Sequence, residues 1–302
     1  MSSVPEISIA VCTYNRSDVL PKCLESLAGQ SADTKLFEVL IINNNSNDDT
    51  KKIALDFCER HHNFRYIFEK KQGLSHARNR AIVEAKGKYL AYIDDDAIAD
   101  KEWVKSILDC FSQTNADVVG GPVFHFVKTE KQPFFFNKNA SSFNPGNERR
   151  QMTPPGFDFG FPGGNTCFKK SLFGEFGNYL TELGMVGGKQ RMGEDSEMGY
   201  RLLKAGKIFY YEPGMKIDHQ LRLKNVTLKG IVKRSYDTGI EIGRMIKNDV
   251  TLPKKLKKIA APFVYGFLFL FLFPFYWIKG PWFFAKKLGD VFFAFGVAKN
   301  VL

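Results

Sequence analysis

Three consecutive carboxylates, Asp94, Asp95 and Asp96, follow an apolar stretch and are the residues best suited to chemistry. Adjacent like charges repel one another unless a cation neutralises them. In an extended backbone, residues two apart share a face, so Asp94 and Asp96 converge while Asp95 points elsewhere. Such oxygen ligands suit Mg²⁺ or Mn²⁺. The triplet therefore predicts a divalent metal site, and the alternative is a loop of solvated acids that caps a helix.

The first 125 residues must position this triplet, and they alternate short apolar runs with helical patterns. This alternation predicts βαβ units on a mostly parallel sheet. The predicted strands are residues 7–13, 37–42, 64–68, 88–93 and 117–123. The predicted helices are residues 19–28, 49–61, 74–85 and 101–112. Because each strand is nearly all apolar rather than alternating, helices should cover both faces, and ligands should bind outside the strand carboxyl ends, where the triplet lies.

The remaining chain changes character twice. Residues 128–159 are rich in Pro, Asn, Phe and Ser without periodicity, which predicts a long loop. A second αβ stretch follows, with a helix at 194–205 and a strand at 208–211. The positive charge is local, since residues 216–258 hold 12 Lys+Arg against 4 Asp+Glu.

The C-terminal end is predicted to be an apolar helical tail. Residues 259–278 carry no charge and approach the length of a bilayer-spanning helix, but Pro262 and Pro274 argue against a straight span. After Pro281, apolar and charged residues separate onto two helical faces, which is typical of a helix lying in a membrane interface. The apolar face holds Phe284, Leu288, Val291, Phe292 and Phe295. Spanning, lying in the interface and packing as core helices all remain open.

Composition limits the classes of protein and partner. The chain has 302 residues, 44% of them hydrophobic, and a net charge of +11, which indicates a globular protein. Five scattered cysteines without a C-x-x-C pair predict reduced thiols in a cytosolic compartment, and the N-terminus lacks the apolar core of a signal peptide. The excess positive charge adjoins an apolar tail rather than an aromatic-lined groove, so we expect no nucleic-acid partner.

Five ordered motifs resemble those of the family 2 glycosyltransferases, which have a GT-A type fold. They are IAVCTYNR at 9–16, VLIINNNSNDDT at 39–50, GLSHARNR at 73–80, the acidic triplet, and G-E-D at 193–195. The resemblance covers about residues 6–243, and five motifs in order are more specific than any one of them. It implies an α/β fold with a Rossmann-like, mostly parallel nucleotide-binding sheet flanked by helices. It also implies inverting transfer from a nucleotide sugar.

The resemblance places the donor at the first three motifs and the triplet. The implied donor-binding residues are Thr13, Tyr14, Asn15, Arg16, Asn43, Asn45, Asp48, Gly73, Arg78, Asn79, Asp94 and Asp95. Arg78 and Asn79 lie in the first turn of a helix, where N–H groups and a guanidinium can meet phosphate or ribose oxygens; the alternative for Arg78 is a surface salt bridge. The family usually has Asp where Asn43 stands, and Asn still accepts a hydrogen bond, which leaves the choice of base open.

The implied chemistry uses the acidic groups in two roles. A divalent ion on Asp96, assisted by Asp94, would stabilise the leaving diphosphate. The resemblance makes Asp195 the catalytic base, with Glu194 beside it, and the helix start should keep Asp195 ionised. His219 is a candidate third metal or diphosphate ligand, as in some relatives; the alternative is a structural histidine.

Two further patterns refine the prediction. The Q-x-x-R-W motif of processive synthases is missing, because Gln220-Leu221-Arg222 is not followed by Trp, so we expect single transfers. Gly163-Gly164-Asn165 predicts a close-approach turn beside the acceptor, against the alternative of an ordinary β-turn.

We therefore predict a nucleotide-sugar-binding half in residues 1–125, an acceptor-binding and catalytic-base half in 126–222, and a basic helix with membrane-associating helices in 223–302. The predicted enzyme is an inverting, Mg²⁺- or Mn²⁺-dependent hexosyltransferase. It moves one sugar from a nucleotide-diphosphate sugar to a glycan or lipid-linked acceptor in cell-surface polysaccharide biosynthesis. The predicted location is the cytoplasmic face of the plasma membrane, peripheral or monotopic, with an anionic membrane surface as partner. The alternative is a non-catalytic, nucleotide-sugar-binding membrane scaffold.

Overall fold

The computed structural model describes residues 4–137, 141–186, 193–247 and 252–301. The chain divides into two compact units. Unit 1 comprises residues 1–125 and 141–219, and unit 2 comprises residues 126–140 and 220–302.

Unit 1 is an α/β structure whose strands and helices alternate along its first part, as the sequence predicts. Its strands, two of which end one residue past the unit border, are β1 Ile7–Thr13, β2 Phe37–Asn43, β3 Phe64–Phe68, β4 Tyr89–Asp94, β5 Ala97–Ala99, β6 Val118–Gly120, β7 Val123–Phe126, β8 Ser141–Phe143, β9 Arg150–Met152, β10 Asn165–Lys169, β11 Phe209–Tyr211 and β12 Ile217–Gln220. Its helices are α1 Leu20–Ala28, α2 Thr50–Arg60, α3 Leu74–Glu84, α4 Trp103–Gln113, α5 Ser171–Phe176 and α6 Glu194–Lys204.

The central sheet of unit 1 has the strand order β3-β2-β1-β4-β10-β6-β11-β9. The first four strands in this order pair in parallel, as βαβ units require. Strand β10 then lies antiparallel to both β4 and β6. A second sheet has the order β5-β12-β7-β8. The α/β class and the sheet flanked by helices are therefore confirmed.

Both faces of the central sheet are covered by helices, which explains why β1 and β2 are mostly apolar. On one face, Ile9 and Val39 belong to a buried cluster with residues of α1, α2 and α4, such as Leu24. On the other face, Ala10 and Leu40 pack with residues of α3, α5 and α6. Successive strand residues point to opposite faces, so two apolar layers need an unbroken apolar run.

Two sequence predictions differ from the structure in the middle of unit 1. The predicted strand 117–123 is two strands in different sheets, β6 and β7, because the chain turns between them. At the turn, a side chain on Gly121 would overlap the backbone of Met215, so only glycine fits. The predicted loop 128–159 contains the short strands β8 and β9, and β9 pairs with β11. Strands of three residues are too short for an alternating pattern to indicate them.

Unit 2 is helical. After a 3₁₀ turn at Leu223–Val226, its helices are α7 Leu228–Ile246, α8 Leu252–Phe271, α9 Phe273–Ile278 and α10 Pro281–Val301. Helix α10 packs against α7 at glycines: side chains on Gly239 and Gly296 would overlap the facing helix backbone. Small residues at such positions let two helix backbones approach closely. Among the described residues, no helix has the length and hydropathy required to cross a membrane.

The apolar face predicted after residue 281 is divided in the structure. Phe284 and Val291 are buried within unit 2, whereas Phe292 and Phe295 are exposed. The helix α10 therefore turns much of its apolar surface toward its own neighbours, α7 and α8.

Candidate active site

The acidic triplet lies at the carboxyl end of β4, and a histidine from a distant strand joins it. Strand β12 pairs with β5 so that His219 lies opposite Ala97. His219 Nε2 is 2.9 Å from Asp96 Oδ1 and 4.0 Å from Asp94 Oδ2. One potential ligand atom from each of Asp94, Asp96 and His219 lies within 4.8 Å of the others. The structure thus brings together the three residues predicted to hold a metal ion.

The middle carboxylate of the triplet is not among the three clustered groups, although the extended backbone on which its prediction rests ends at Asp94 and both following residues lie in a turn. Asp95 is buried, and its Oδ1 lies 3.8 Å from Arg16 Nη2. The same Arg16 nitrogen donates a hydrogen bond of 2.5 Å to Asp96 Oδ2. Burial alone would raise the pKa of Asp96, but the contacts with His219 and Arg16 lower it. Burial raises the pKa of Asp95, and Arg16 opposes this rise. The Arg16 side chain therefore serves as a counter-cation for the triplet.

The loops after β1 and β2 are tied to each other along the same edge of the sheet. The Asn15 backbone N–H donates to Ser46 Oγ at 2.9 Å, and the Asn47 N–H donates to Asn15 Oδ1 at 2.9 Å. Asn15 and Asn45 adopt φ values of 51° and 63°, which Asn tolerates better than most residues. Thr13 ends β1 beside Asn43 of β2, and the half-buried Tyr14 follows it.

A second set of hydrogen bonds between these loops centres on Asp48. Its Oδ2 accepts from the Ser17 N–H at 3.0 Å and its Oδ1 from the Thr50 N–H at 3.0 Å. Burial opposes ionisation, but these hydrogen bonds outweigh it and lower the pKa of Asp48 to about 2. The Arg16 N–H also donates to Thr50 Oγ1. Asp48 thus fixes the loop that carries Arg16.

The asparagines at the end of β2 use their amides inside the protein. Asn43 is buried; its Nδ2 donates to Tyr66 Oη at 3.0 Å and its Oδ1 accepts from the Ser46 N–H at 3.0 Å. Asn44, which no sequence pattern singles out from its neighbours, accepts a hydrogen bond of 2.8 Å from the Gly73 N–H. Gly73 precedes α3 with φ of 140°, a conformation that favours glycine.

Arg78 and Asn79, which are predicted to contact the donor, have partners within the protein. Arg78 is only 4% exposed, and its Nη1 is 3.1 Å from Glu194 Oε1. Its guanidinium lies over the rings of Tyr179 and Tyr92, at 5.3 Å and 5.7 Å from their centroids. Asn79 exchanges two hydrogen bonds of 2.9 Å with the backbone of Tyr179. The structure therefore places Arg78 in a buried ion pair and not in a surface salt bridge.

Asp195 lies in the first turn of α6, with both carboxylate oxygens held by backbone donors. Its Oδ2 accepts from the Gly163 N–H at 2.9 Å and its Oδ1 from the Ser196 N–H at 2.8 Å. A side chain on Gly163 would come within 2.6 Å of Asp195 Cβ, and one on Gly164 would overlap the Asp94 carboxylate. The two-glycine turn therefore contacts the predicted base with one residue and a predicted metal ligand with the next.

The sequence of unit 1 matches a known family over much of its length. A family model described as glycosyl transferase family 2 matches residues 8–177, which is more than half of the chain. The chain belongs to glycosyl transferase family 2. Its resemblance to this family, stated from the motifs, is confirmed.

The chain spans less than half the length of AglE, one of the curated relatives that it matches, and about three quarters of another. Glycosyltransferase AglE of Haloferax volcanii is 33% identical over 123 residues, which are 40% of this chain and 40% of AglE. A glucosyl-dolichyl phosphate glucuronosyltransferase of the same organism is 24% identical over 245 residues, which are 78% of this chain and 75% of that protein.

Solved structures share the fold. A mannosyltransferase, PcManGT from Pyrobaculum calidifontis in complex with GDP-Man and Mn²⁺, has a TM-score of 0.61 and 16% identity; the match covers 94% of this chain and 73% of that one. TarS of S. aureus in complex with UDP-GlcNAc has a TM-score of 0.59 and 17% identity over 82% of this chain and 68% of that one. The predicted GT-A type fold is confirmed.

A histidine to which no sequence pattern assigns a role also lies beside the candidate site. The ring of His125, on β7, has its centroid 5.5 Å from that of His219. Strands β7 and β12 are neighbours in the second sheet, although 93 residues separate the two histidines in the sequence. Only the pairing of these strands brings the two imidazoles together.

Proposed function

We propose that this glycosyltransferase is an inverting, metal-dependent enzyme that transfers single hexose units from a nucleotide-diphosphate sugar. One observation carries the proposal: the turn Gly163-Gly164 contacts Asp195 on one side and Asp94 on the other. The proposed cation ligand and the proposed proton acceptor therefore lie against the same turn, which supports their acting on one anomeric carbon. A non-catalytic scaffold has no need for this juxtaposition.

Asp94, Asp96 and His219 are the residues that would hold the metal ion. Two carboxylates and one imidazole fit Mn²⁺ better than Mg²⁺, because Mg²⁺ prefers oxygen ligands only. A bound divalent ion would neutralise the charge that develops on the leaving diphosphate. The Mn²⁺ and GDP-Man in the structure of PcManGT support this assignment.

Asp195 would act as the base. An acceptor hydroxyl forms a bond to the anomeric carbon as the bond from that carbon to the diphosphate breaks, and the hydroxyl proton passes to Asp195. Attack from the side opposite the diphosphate inverts the anomeric centre. The two backbone hydrogen bonds to Asp195 hold the carboxylate in a fixed orientation, and Oδ1 also accepts from the Ser196 hydroxyl at 3.5 Å, so Oδ2 is the better candidate to take the proton.

The nucleotide would bind along the joined loops that follow β1 and β2. These loops lie at the carboxyl edge of the parallel strands, beside the triplet, where ligands bind in such sheets. Because both ends of the Asn43 amide are hydrogen-bonded inside the protein, the backbone of these loops is the better candidate for reading the base. The complexes of TarS with UDP-GlcNAc and of PcManGT with GDP-Man support a nucleotide-sugar donor.

The proposed acceptor is a glycan or a lipid-linked sugar of cell-surface polysaccharide biosynthesis, at the cytoplasmic face of the plasma membrane. The relative named glucosyl-dolichyl phosphate glucuronosyltransferase supports a lipid-linked acceptor. The uncharged stretch of residues 259–278 after a basic segment supports the membrane location.

The test is release of nucleoside diphosphate from a panel of nucleotide sugars, with and without Mn²⁺. We expect the full-length chain to release UDP or GDP from one donor, and we expect excess chelator to abolish release. Asp96→Asn should lose the response to Mn²⁺, whereas Asp56→Asn, on the exposed face of α2, should keep it. Release that continues in chelator would contradict the metal requirement, and donor binding without any turnover would favour the scaffold.

A further inference from the structure

Residues 259–271 of helix α8 are uncharged and almost entirely apolar, but much of their surface is uncovered. Phe263, Phe267, Leu270 and Phe271 have relative exposures between 69% and 76%, whereas Phe269 is 8% exposed. The four exposed residues recur at spacings of three and four, which places them on one helical face. A helix that is apolar all round is normally buried all round. The exposed face therefore requires a covering partner.

The covered side of α8 fixes the direction of the exposed face. The ring of Phe269 lies 5.3 Å from that of Phe284 on α10, and both belong to a buried cluster with Val291. Phe263 also contacts Phe295 of α10, with centroids 5.9 Å apart. Rotating α8 to hide its outer face would expose Phe269, so the helix presents this face permanently.

The exposed apolar area continues onto two other segments of unit 2. Trp277 of α9 is exposed, and its ring lies 6.3 Å from that of Phe134, which is 63% exposed. Phe135, the next residue, packs against the same buried cluster as Phe269 and thereby anchors the segment that carries Phe134. We call these residues the aromatic surface: Phe134, Phe263, Phe267, Leu270, Phe271 and Trp277.

Lysines border the aromatic surface at both ends of the uncharged segment that α8 and α9 form. Lys257 and Lys258 precede the uncharged residues 259–278, and Lys279 follows them. The Lys279 ammonium lies 4.9 Å from the centroid of the Phe275 ring, so this positive charge adjoins the apolar segment. Aromatic residues flanked by lysines match the boundary between acyl chains and anionic headgroups.

We propose that the aromatic surface docks unit 2 flat onto an anionic lipid bilayer, with α8 parallel to the membrane plane. Its aromatic residues enter the boundary between headgroups and acyl chains, and the bordering lysines contact lipid phosphates. We infer the in-plane orientation because the most exposed residues of α8 share one face, while Phe269 holds the helix against Phe284 of α10. The proposal rests on the membrane location included in the proposed function, and not on the transfer chemistry.

The test is flotation of the purified full-length chain with vesicles of phosphatidylcholine, alone or mixed with phosphatidylglycerol. We expect binding to the mixed vesicles and at least about tenfold weaker binding of Phe271→Asp, since a charge replaces an inserted ring. The matched control is Val83→Asp on α3, because Val83 is 74% exposed and Phe271 is 76% exposed. This control should bind within about twofold of the parent chain, as its site lies outside the proposed surface.

Three results would overturn the proposal. The first is undiminished binding of Phe271→Asp, and the second is equal binding to vesicles with and without phosphatidylglycerol. The third is a stable dimer that Phe271→Asp dissociates while neither form binds vesicles, since a second copy would then cover the surface.

The contribution of the bordering lysines can be measured separately. Lys257→Gln together with Lys258→Gln should reduce binding to the mixed vesicles by about fivefold or more, and this reduction should be smaller at high salt, which screens the attraction to the lipid phosphates.

Nucleotide release by the same variants separates this proposal from the transfer chemistry. Phe271→Asp should release nucleoside diphosphate from the donor at the parent rate in the absence of vesicles. A chain that floats but releases no nucleotide would support the docking surface and contradict the proposed reaction. A chain that releases nucleotide but does not float would contradict the docking surface and leave the proposed reaction unaffected.

Discussion

The triplet at the end of β4 and the Glu194-Asp195 pair at the start of α6 are both acidic, but their partners differ. The triplet is neutralised by side chains, with Arg16 at 2.5 Å and His219 at 2.9 Å from Asp96. Asp195 is held by backbone N–H groups, and Glu194 faces the buried Arg78 at 3.1 Å. One group thus has partners that can move, and the other has partners fixed by the fold.

This difference matches the two proposed roles. A metal ion bound as proposed would supply the charge that Arg16 now supplies, and Arg16 contacts the triplet from a loop rather than from a strand or a helix. A base must keep one orientation through every turnover, which rigid backbone donors provide. Three substitutions test this contrast, beginning with the largest expected effect.

Asp195→Asn should lower turnover by about 10² to 10⁴ because the amide cannot accept the acceptor proton. The affinity for the nucleotide sugar should stay within about twofold, since Asp195 takes no part in the proposed metal site. Steady-state kinetics with the preferred donor would measure the first effect, and calorimetric titration of the donor would measure the second. Turnover within fivefold of the parent enzyme would rule out Asp195 as the base.

Arg78→Met should lower the free energy of unfolding by about 3 to 5 kcal/mol, because it leaves Glu194 buried without its cation. Adding Glu194→Gln should recover part of this loss. The control is Arg60→Met, whose exposed ion pair with Asp56 should contribute no more than about 1 kcal/mol. Urea unfolding of the four proteins would measure these values, and equal losses for Arg78→Met and Arg60→Met would contradict a buried pair.

The Arg78–Glu194 pair also predicts that the free energy of unfolding depends on pH. Burial raises the pKa of Glu194, so the folded state binds a proton at this carboxyl more tightly than the unfolded state does. Folding is then penalised above the ordinary glutamate pKa, and the penalty disappears as the pH falls. Without the opposing charge of Arg78 the penalty grows, so the destabilisation of Arg78→Met should shrink as the urea experiment is repeated at lower pH.

The sequence predicts the parallel half of unit 1 well because local patterns determine it. Strands β1 and β3 have the predicted ends, and β2 and β4 differ by one residue, since long apolar runs between polar turns mark strands clearly. The carboxyl ends of parallel strands meet at one edge of the sheet, so the sequence alone predicts that the triplet lies near the loop after β1.

The remainder of the site depends on contacts that no local pattern encodes. Strand β10 enters the sheet antiparallel between β4 and β6, and this insertion brings Gly163 and Gly164 against the acidic groups. Arg78 reaches Glu194 from 116 positions earlier in the chain. Its sequence context at a helix start suggests a ligand contact, whereas packing between Tyr92 and Tyr179 decides its position.

Arg16→Gln should have the smallest of the three effects, a loss of about 1 to 3 kcal/mol in the absence of metal, because the triplet loses its counter-cation. Mn²⁺ should restore this stability, since the ion supplies the missing charge, so thermal unfolding should show a larger Mn²⁺-induced rise in Tm than in the parent enzyme. Arg78→Met should gain no such extra rise, because Glu194 lies outside the proposed metal site. An equal Mn²⁺ response in both variants would contradict the division between replaceable and fixed partners.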